Sequence, residues 1–363
     1  MILFGLANGL TLFEISFVGD RRSGMIISGA IQLTRYSTAI SAVGALVALI
    51  SIIIPALTLA LTFSVLVRLI SVGRENTRFR PALAAAWKLA RHLRPWGMLD
   101  VYLLGAAVAY SRLRRLADVA IGAGGYALAA FVFIQVLLEQ SLGRQRVWRA
   151  IGDSAQYAPK PGEPWVLCLG CELVTVAPVT GSDGRRHCPR CGSHLVPRRP
   201  GSLAITAAFT LAGYILYLPA NVLPVLTITR FGRTEPYTIL GGVRDLAAAG
   251  LWPLALLVLF ASILVPVLKL AGLSWFLIAI RFRSAWMLRE RTALYRLIDF
   301  IGRWSNIDVF MISIVSALLQ FGILTTVDPG PGIASFAAVV VLTMIAARAF
   351  DPRLMWDAAR VRR

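Results

Sequence analysis

The segment Trp96-Gly-Met-Leu-Asp100-Val recurs as Trp304-Ser-Asn-Ile-Asp308-Val, and the same spacing superimposes Gly122 on Gly330, Gly124 on Gly332 and Trp148 on Trp356. With small shifts, Ile27-Ser28-Gly29 answers Leu240-Gly241-Gly242, Ala7-Asn8 answers Ala220-Asn221, and Ser51 with Pro55 answers Ser262 with Pro266. Such self-similarity predicts two tandem copies of one structural unit, with a cysteine-rich insert between them. The expected organisation is an N-terminal module over residues 1–150, a ribbon over 160–199 and a C-terminal module over 200–363. A long apolar stretch precedes Asn221 but only seven residues precede Asn8, so the first helix of the first module is expected to be truncated. The start has no basic n-region and no A-x-A site, which argues against a secretory signal.

Hydrophobic residues make up 57% of the 363 positions and charged residues only 15%, with a mean hydropathy of +0.71. That leaves too little polar surface to coat a soluble globule of this size, so both modules are expected to be transmembrane. The apolar runs are continuous instead of alternating, which predicts an all-α polytopic fold over a barrel. Seven candidate spans follow, over residues 39–67, 98–110, 119–138, 203–228, 251–280, 309–324 and 333–347, giving four helices per module once the shortened first one is counted.

The formal charge of +19 does not point to nucleic acid, because the basic residues bunch between the spans without interleaved aromatics. They read as topology signals. The loops over 68–94 and 281–303 (Arg291 among their cations), the insert and the C-terminal tail are expected on the cytoplasmic side. Arg112, Arg114 and Arg115 fall on the opposite side, where the rule would not put them.

All four cysteines lie in the insert, as Cys168-Leu-Gly-Cys171 and Cys188-Pro-Arg-Cys191-Gly192. A C-x-x-C turn lets two thiolates reach one ion from a single loop, and Gly192 frees the backbone for that turn. Two such turns supply four sulfurs, so one closed structural zinc site is expected, with iron as the rival the sulfur set does not distinguish. Disulfides are disfavoured on a reducing cytoplasmic side. His187 and His194 flank the knuckles and are expected to stay outside a cage already filled by four cysteines.

Lys269, one of three lysines with Lys88 and Lys160, lies inside the apolar run Ile263-Leu-Val-Pro-Val-Leu-Lys269-Leu-Ala-Gly272. An ammonium at the bilayer centre costs about 2.5 to 3.5 kcal/mol even on permissive scales, so it should face a cavity or a partner. The competing reading is snorkelling toward Arg281, about 18 Å away along the helix. Asp308 is the natural counter-charge, and as a first-turn carboxylate it would also be favoured by the helix dipole. Asp100 repeats that position in the first copy, whereas Thr58 stands where Lys269 does. Thr343 is a further candidate to line the same cavity, although an intrahelical bond to a carbonyl is the commoner fate of a membrane threonine. Asn8 and Asn221, near helix ends, read as caps. Pro55 and Pro266, inside long spans at equivalent positions, are expected to kink them, as paired breaks do in transporters.

No candidate span carries a histidine, and no phosphate-binding G-x-x-x-x-G-K-[ST] loop, G-x-S-x-G elbow or H-E-x-x-H helix occurs. Nothing here reads as an enzyme.

Several longer strings are more specific: Tyr217-Leu-Pro-Ala-Asn221-Val-Leu-Pro224, then Phe260-Ala-Ser-Ile-Leu-Val-Pro266-Val-Leu-Lys269, Asp299-Phe-Ile-Gly-Arg303-Trp304-Ser-Asn-Ile-Asp308, and Asp328-Pro-Gly-Pro-Gly332 with Phe350-Asp-Pro-Arg-Leu-Met-Trp356. Together they resemble the paraquat-inducible protein A family, which includes the LetA proteins. The resemblance implies a bacterial inner-membrane protein of two tandem modules, each a cytoplasmic zinc ribbon followed by four helices. It further implies a periplasmic MCE-domain partner that forms a tunnel, and movement of lipid between membranes. For Lys269, Asp308 and Thr343 it implies a polar network in the helical core, open to coupling with protons, with Asp100 and Arg112 as further members. The ribbon that the family places before the first module is missing from this sequence. Two other functions fit the residues: a rubredoxin-like redox protein carrying iron, and a passive membrane scaffold for the periplasmic partner.

Overall fold

A computed structural model describes residues 1–17, 20–72, 80–114, 118–151, 165–176, 185–230, 233–320 and 325–360. Arg115 and Lys160 lie outside them. The chain packs as two compact units. One comprises Met1–Ile52, Met98–Phe131 and Gly201–Arg363, the other Ile53–Gly97 and Val132–Pro200.

Sixteen α-helices run along the described chain: α1 (Ile2–Gly9), α2 (Ile26–Leu33), α3 (Thr38–Ala48), α4 (Ile54–Val72), α5 (Arg80–Leu93), α6 (Leu99–Leu113), α7 (Ala123–Ser141), α8 (Arg144–Ile151), α9 (Ser202–Val222), α10 (Ile239–Ala248), α11 (Trp252–Leu259), α12 (Val265–Arg281), α13 (Leu288–Ile301), α14 (Ile307–Leu318), α15 (Gly332–Ala349) and α16 (Arg353–Arg360). Eight strands join them: β1 (Phe13–Phe17), β2 (Asp20–Gly24), β3 (Asp118–Ile121), β4 (Trp165–Leu167), β5 (Val174–Val176), β6 (Leu226–Arg230), β7 (Arg233–Tyr237) and β8 (Thr325–Pro329). The sequence α1-β1-β2-α2 through β3-α7-α8 is matched, element for element, by α9-β6-β7-α10 through β8-α15-α16.

Five helical runs are long and apolar enough to cross a bilayer: Thr38–Ser71, Ala123–Ser141, Ser202–Val222, Trp252–Arg281 and Gly332–Ala349. The chain is a multi-pass membrane protein. Two expected spans are corrected. Helix α6 has 15 residues and α14 has 12, both short of a crossing. All but one of the α14 residues are buried, so its apolar run reflects a core helix packed on every side. It packs against α6, where Gly105 makes the close approach possible: a Cβ there would lie 2.9 Å from Phe310 Cβ and 3.1 Å from the Ile307 carbonyl. Tyr102 meets the Phe310 ring edge-on at 5.1 Å. Gly105→Leu is therefore expected to destabilise the protein by about 1–3 kcal/mol through overpacking, read as a lower melting temperature of the purified protein in detergent.

The all-α expectation is also corrected. Two antiparallel three-stranded sheets occur in the first unit, ordered β2-β1-β3 and β7-β6-β8. Leu226 pairs with Tyr237 on one side and Pro329 on the other, and Phe13 likewise with Gly24 and Ile121. The central strand β6, Leu-Thr-Ile-Thr-Arg, is rich in β-branched residues, and pairing satisfies the backbone amides of these segments between helices. Pro236 and Pro329 sit on the edge strands, where a missing N–H costs no internal ladder bond. The repeated glycines find their reason beside the sheets. Gly122 faces the Thr11 carbonyl and Gly330 the Pro224 carbonyl so closely that any Cβ would collide with backbone. Tyr36 donates to Asp328 Oδ1 at 2.6 Å, tying the end of α2 to β8. Burial, then that hydrogen bond, pushes its phenol above the ordinary tyrosine range.

Each expected kink is preceded by a π-helical segment, Leu49–Ile53 before Pro55 and Phe260–Leu264 before Pro266. Proline cannot donate to the carbonyl four residues back, and widening the turn accommodates the loss. The Val265 N–H accordingly reaches the Phe260 carbonyl, five residues back. Asn8 and Asn221 each donate to the carbonyl four residues earlier, Phe4 and Tyr217, near the ends of α1 and α9.

Candidate functional site

In the second unit the two C-x-x-C turns converge. The four Sγ atoms lie within 4.8 Å of one another, with Cys168–Cys191 and Cys171–Cys188 both at 3.6 Å, and all four residues are buried. A tetrahedral site with metal–sulfur bonds of about 2.3 Å has edges of about 3.8 Å, so the cage fits a metal ion. In the first knuckle the Glu172 N–H bonds the Cys168 carbonyl at 2.8 Å, and in the second the Gly192 N–H bonds the Cys188 carbonyl at 2.9 Å. Both residues take the left-handed conformation, φ 59° at Glu172 and 68° at Gly192. Gly192 does so freely, whereas Glu172 does so at some cost. His187 and His194 meet each other with rings tilted by 44° and centroids 4.6 Å apart, and are not among the clustered ligands.

The cage is packed against helices α5 and α8. Lys88 donates to the Cys191 carbonyl at 3.1 Å and to Ser193 Oγ at 3.0 Å. Arg190 lies over the Trp148 ring at 5.3 Å, donates to the Cys171 carbonyl at 2.6 Å and points Nε at Cys171 Sγ, 3.4 Å away. Arg91 pairs with Glu172 at 2.9 Å. Trp87, Trp148 and Ile151 form one buried cluster with the four cysteines. Two cations beside four thiolates offset the negative charge that a tetrathiolate site carries. Sequence alone singled out neither. Arg190 sits within Cys-Pro-Arg-Cys, where a cation beside sulfur was the available signal, but nothing marked Lys88.

In the first unit, Lys269 is fully buried on α12. Its Nζ donates to the Gly302 carbonyl at 2.6 Å and to Thr343 Oγ1 at 3.4 Å. Thr343 also donates to the Val340 carbonyl at 3.0 Å, so both roles weighed for it coexist. The expected Lys269–Asp308 pair is corrected: the ammonium instead meets the C-terminal carbonyl end of α13, which carries the negative end of the helix dipole.

Asp308, in the first turn of α14, lies beside Ser262 and faces Arg112, which is also near Asp245. Both Asp308 carboxylate oxygens, Arg112 Nε and Ser262 Oγ are buried without a hydrogen-bond partner among the described residues. Asp308 and Arg112 border a cavity of about 400 Å³ whose walls are otherwise largely apolar, including Val225, Ile239, Leu246, Met311 and Phe336. Arg112 is thus a cavity residue at the end of α6 and not a loop charge, and Arg291 likewise is buried, donating to the Ser284 carbonyl at 2.9 Å. Asp100 occupies the first turn of α6, as Asp308 does in α14, and does not line this cavity.

The paraquat-inducible protein A family model matches residues 1–152 and 203–360. The chain is 34% identical over 274 residues to the intermembrane transport protein PqiA of Escherichia coli strain K12, covering 73% of this chain and 64% of that protein. It is 33% identical over 359 residues to the lipophilic envelope-spanning tunnel protein A of the same strain, covering 99% of this chain and 80% of the relative. A probable intermembrane transport protein of Haemophilus influenzae is 28% identical over 312 residues, with 84% and 73% covered. The chain thus spans just under two thirds of the length of the first of these relatives. No solved structure matches it. With the matched stretches taking in most of the chain, it belongs to the paraquat-inducible protein A family.

Proposed function

We propose that this protein is an inner-membrane component of an intermembrane lipid transport system that passes lipid to or from a periplasmic MCE-domain tunnel protein. The names of its relatives support transport between membranes. The observation that carries the reading is the cavity at Arg112 and Asp308. It has apolar walls for acyl chains and a guanidinium suited to a phosphate headgroup. Lys269, with Thr343 and the Gly302 carbonyl, lies in the same unit and serves as a state-dependent polar switch, with Asp100 as its diverged counterpart in the first copy.

The recurring element order supports reading the chain as two tandem modules, 1–150 and 200–363, around a ribbon at 160–199. Basic loops support a cytoplasmic ribbon and C-terminus. The thiolate set supports zinc as the resident ion, a closed structural site with no catalytic role, in keeping with relatives named as transport proteins and not as enzymes.

The test places a photocrosslinking benzoyl-phenylalanine at Tyr237, an aromatic wall residue of the cavity, in cells labelled with radioactive phosphate. A phospholipid adduct that falls about tenfold in Arg112→Gln, the loss expected for one charge-assisted hydrogen bond, supports the reading. No adduct, or one indifferent to Arg112, overturns it.

A further inference from the structure

A second crevice, of about 60 Å³, lies within the other compact unit, between α4, α5 and α7. Thr58, Thr62 and Leu59 form one wall, Trp87, Ala90 and Arg91 a second, and Gln135, Leu138 and Glu139 a third. Helix α5 is amphipathic, with Ala84, Trp87 and Ala90 buried along one face, and lies between two basic stretches of the chain. Helices α4 and α7 belong to runs long and apolar enough to cross the bilayer, and the crevice lies against the last turns of α7, before Ser141, and against Thr58–Thr62 in the first half of α4. The end of such a helix is the level at which it meets lipid headgroups, and the α7 wall lies there.

Two donors line this crevice with no partner among the described residues: Trp87 Nε1, on a side chain 4% exposed, and Arg91 Nη1. Arg91 spends its other terminal nitrogen on Glu172. Arg94 and Glu139 already pair with each other. Trp87 Nε1 and Arg91 Nη1 remain as donors without a partner among the described residues. A buried orphan donor costs about 1–3 kcal/mol, so a fold that keeps two on successive turns of α5, on residues lining one crevice, is shaped for an acceptor that arrives from outside. The flanking groups, Leu59, Leu138 and Leu142, are apolar.

We propose that this crevice is a phosphate site that holds a phospholipid headgroup. Arg91 Nη1 and Trp87 Nε1 donate to phosphodiester oxygens, and the leucines border the start of an acyl chain. The inference stands apart from the transport cavity and needs only that the chain spans a membrane.

The experiment uses the purified full chain in uncharged detergent and a phosphatidylglycerol probe carrying a photoreactive acyl chain, with the crosslinked peptide mapped by mass spectrometry. Adducts on the peptides containing 59–62 or 135–142 are expected. Trp87→Phe keeps the ring that fills the core and removes its donor, and Arg91→Gln removes the other. Each should lower those adducts about tenfold, the effect of losing one hydrogen bond to a charged group, and the double variant should lower them further, while adducts elsewhere are unchanged. A diacylglycerol probe with the same chains should label these peptides weakly and equally in both proteins. Protection by millimolar inorganic phosphate, lost in the variant, would identify a free anion as the occupant of the same phosphate site. Equal labelling by the phosphatidylglycerol probe in wild type and variant, Trp87→Phe alone included, overturns the proposal: such lipid would be annular and the donors hydrated.

Discussion

Lys269→Met is expected to leave a folded protein that no longer supports lipid movement. Methionine preserves most of the side-chain volume, and exchanging a buried cation for an apolar group of similar size is often neutral or mildly stabilising. Here the ammonium also satisfies the Gly302 carbonyl, so its removal should cost about 1–3 kcal/mol for the acceptor left unpaired. Thr343 keeps its own bond to Val340, so the helix it belongs to is undisturbed. Transport should suffer far more than stability. A switch acts only through the difference between its contacts in two states, and each 1.4 kcal/mol lost from that difference is about a factor of ten. Envelope complementation at least about tenfold below wild type, with normal membrane abundance, is the expected result. Full complementation by Lys269→Met and Lys269→Ala at equal abundance would reduce the residue to a helix-end cap.

Much of this arrangement was visible in the residues. Two C-x-x-C pairs are constrained by sulfur geometry alone, and only a local turn is needed to build each. The repeated glycines and the Ser-Pro pairs were legible as equivalences, because close backbone approach and a missing amide tolerate few substitutes. Their consequence was less so: a proline in a long apolar run predicts a disrupted turn, but whether the chain kinks or widens into a π segment depends on packing. The strands were hidden for a different reason. Leu226–Arg230 follows the apolar helix α9 closely, and Leu226-Thr-Ile-Thr229 prolongs a hydropathy maximum without marking a change of periodicity.

The partner of Lys269 was missed because sequence reasoning seeks a formal charge, whereas the acceptor is a main-chain carbonyl that only tertiary structure brings near. The same limit hid Lys88, whose role depends on α5 lying against a knuckle more than a hundred residues later. Arg112 was singled out for standing where a loop charge should not be. The structure places it at a cavity, which the anomaly alone did not foretell, and cations that violate topology rules are worth following for that reason.

Removing the metal should release the ribbon from α5 and α8 as well as unfold it. A segment this short cannot bury enough apolar surface to hold its shape alone, and the apparent binding free energy of a structural zinc, about 10–16 kcal/mol in small domains, becomes folding free energy. Cys188→Ser leaves three thiolates and should abolish stoichiometric metal retention. The contacts that depend on the folded knuckles then go together: Lys88 with Cys191 and Ser193, Arg91 with Glu172, and Arg190 with Cys171 and Trp148. Arg190 gives the sharpest readout, since its guanidinium is held by the Cys171 carbonyl and the indole of Trp148 in the loaded state. Trypsin should spare the Arg190–Cys191 bond in the metal-bound protein and cut it readily after chelation or in Cys188→Ser, while peptides from α9 onward stay protected. Acidification should act in the same direction, because protons compete with metal for thiolates, so metal retention falls as pH falls. One zinc per chain in the purified protein is expected. One iron with a rubredoxin-like absorption spectrum would favour the redox reading, and unchanged resistance at Arg190 after complete metal loss would show that helix packing alone holds the ribbon in place.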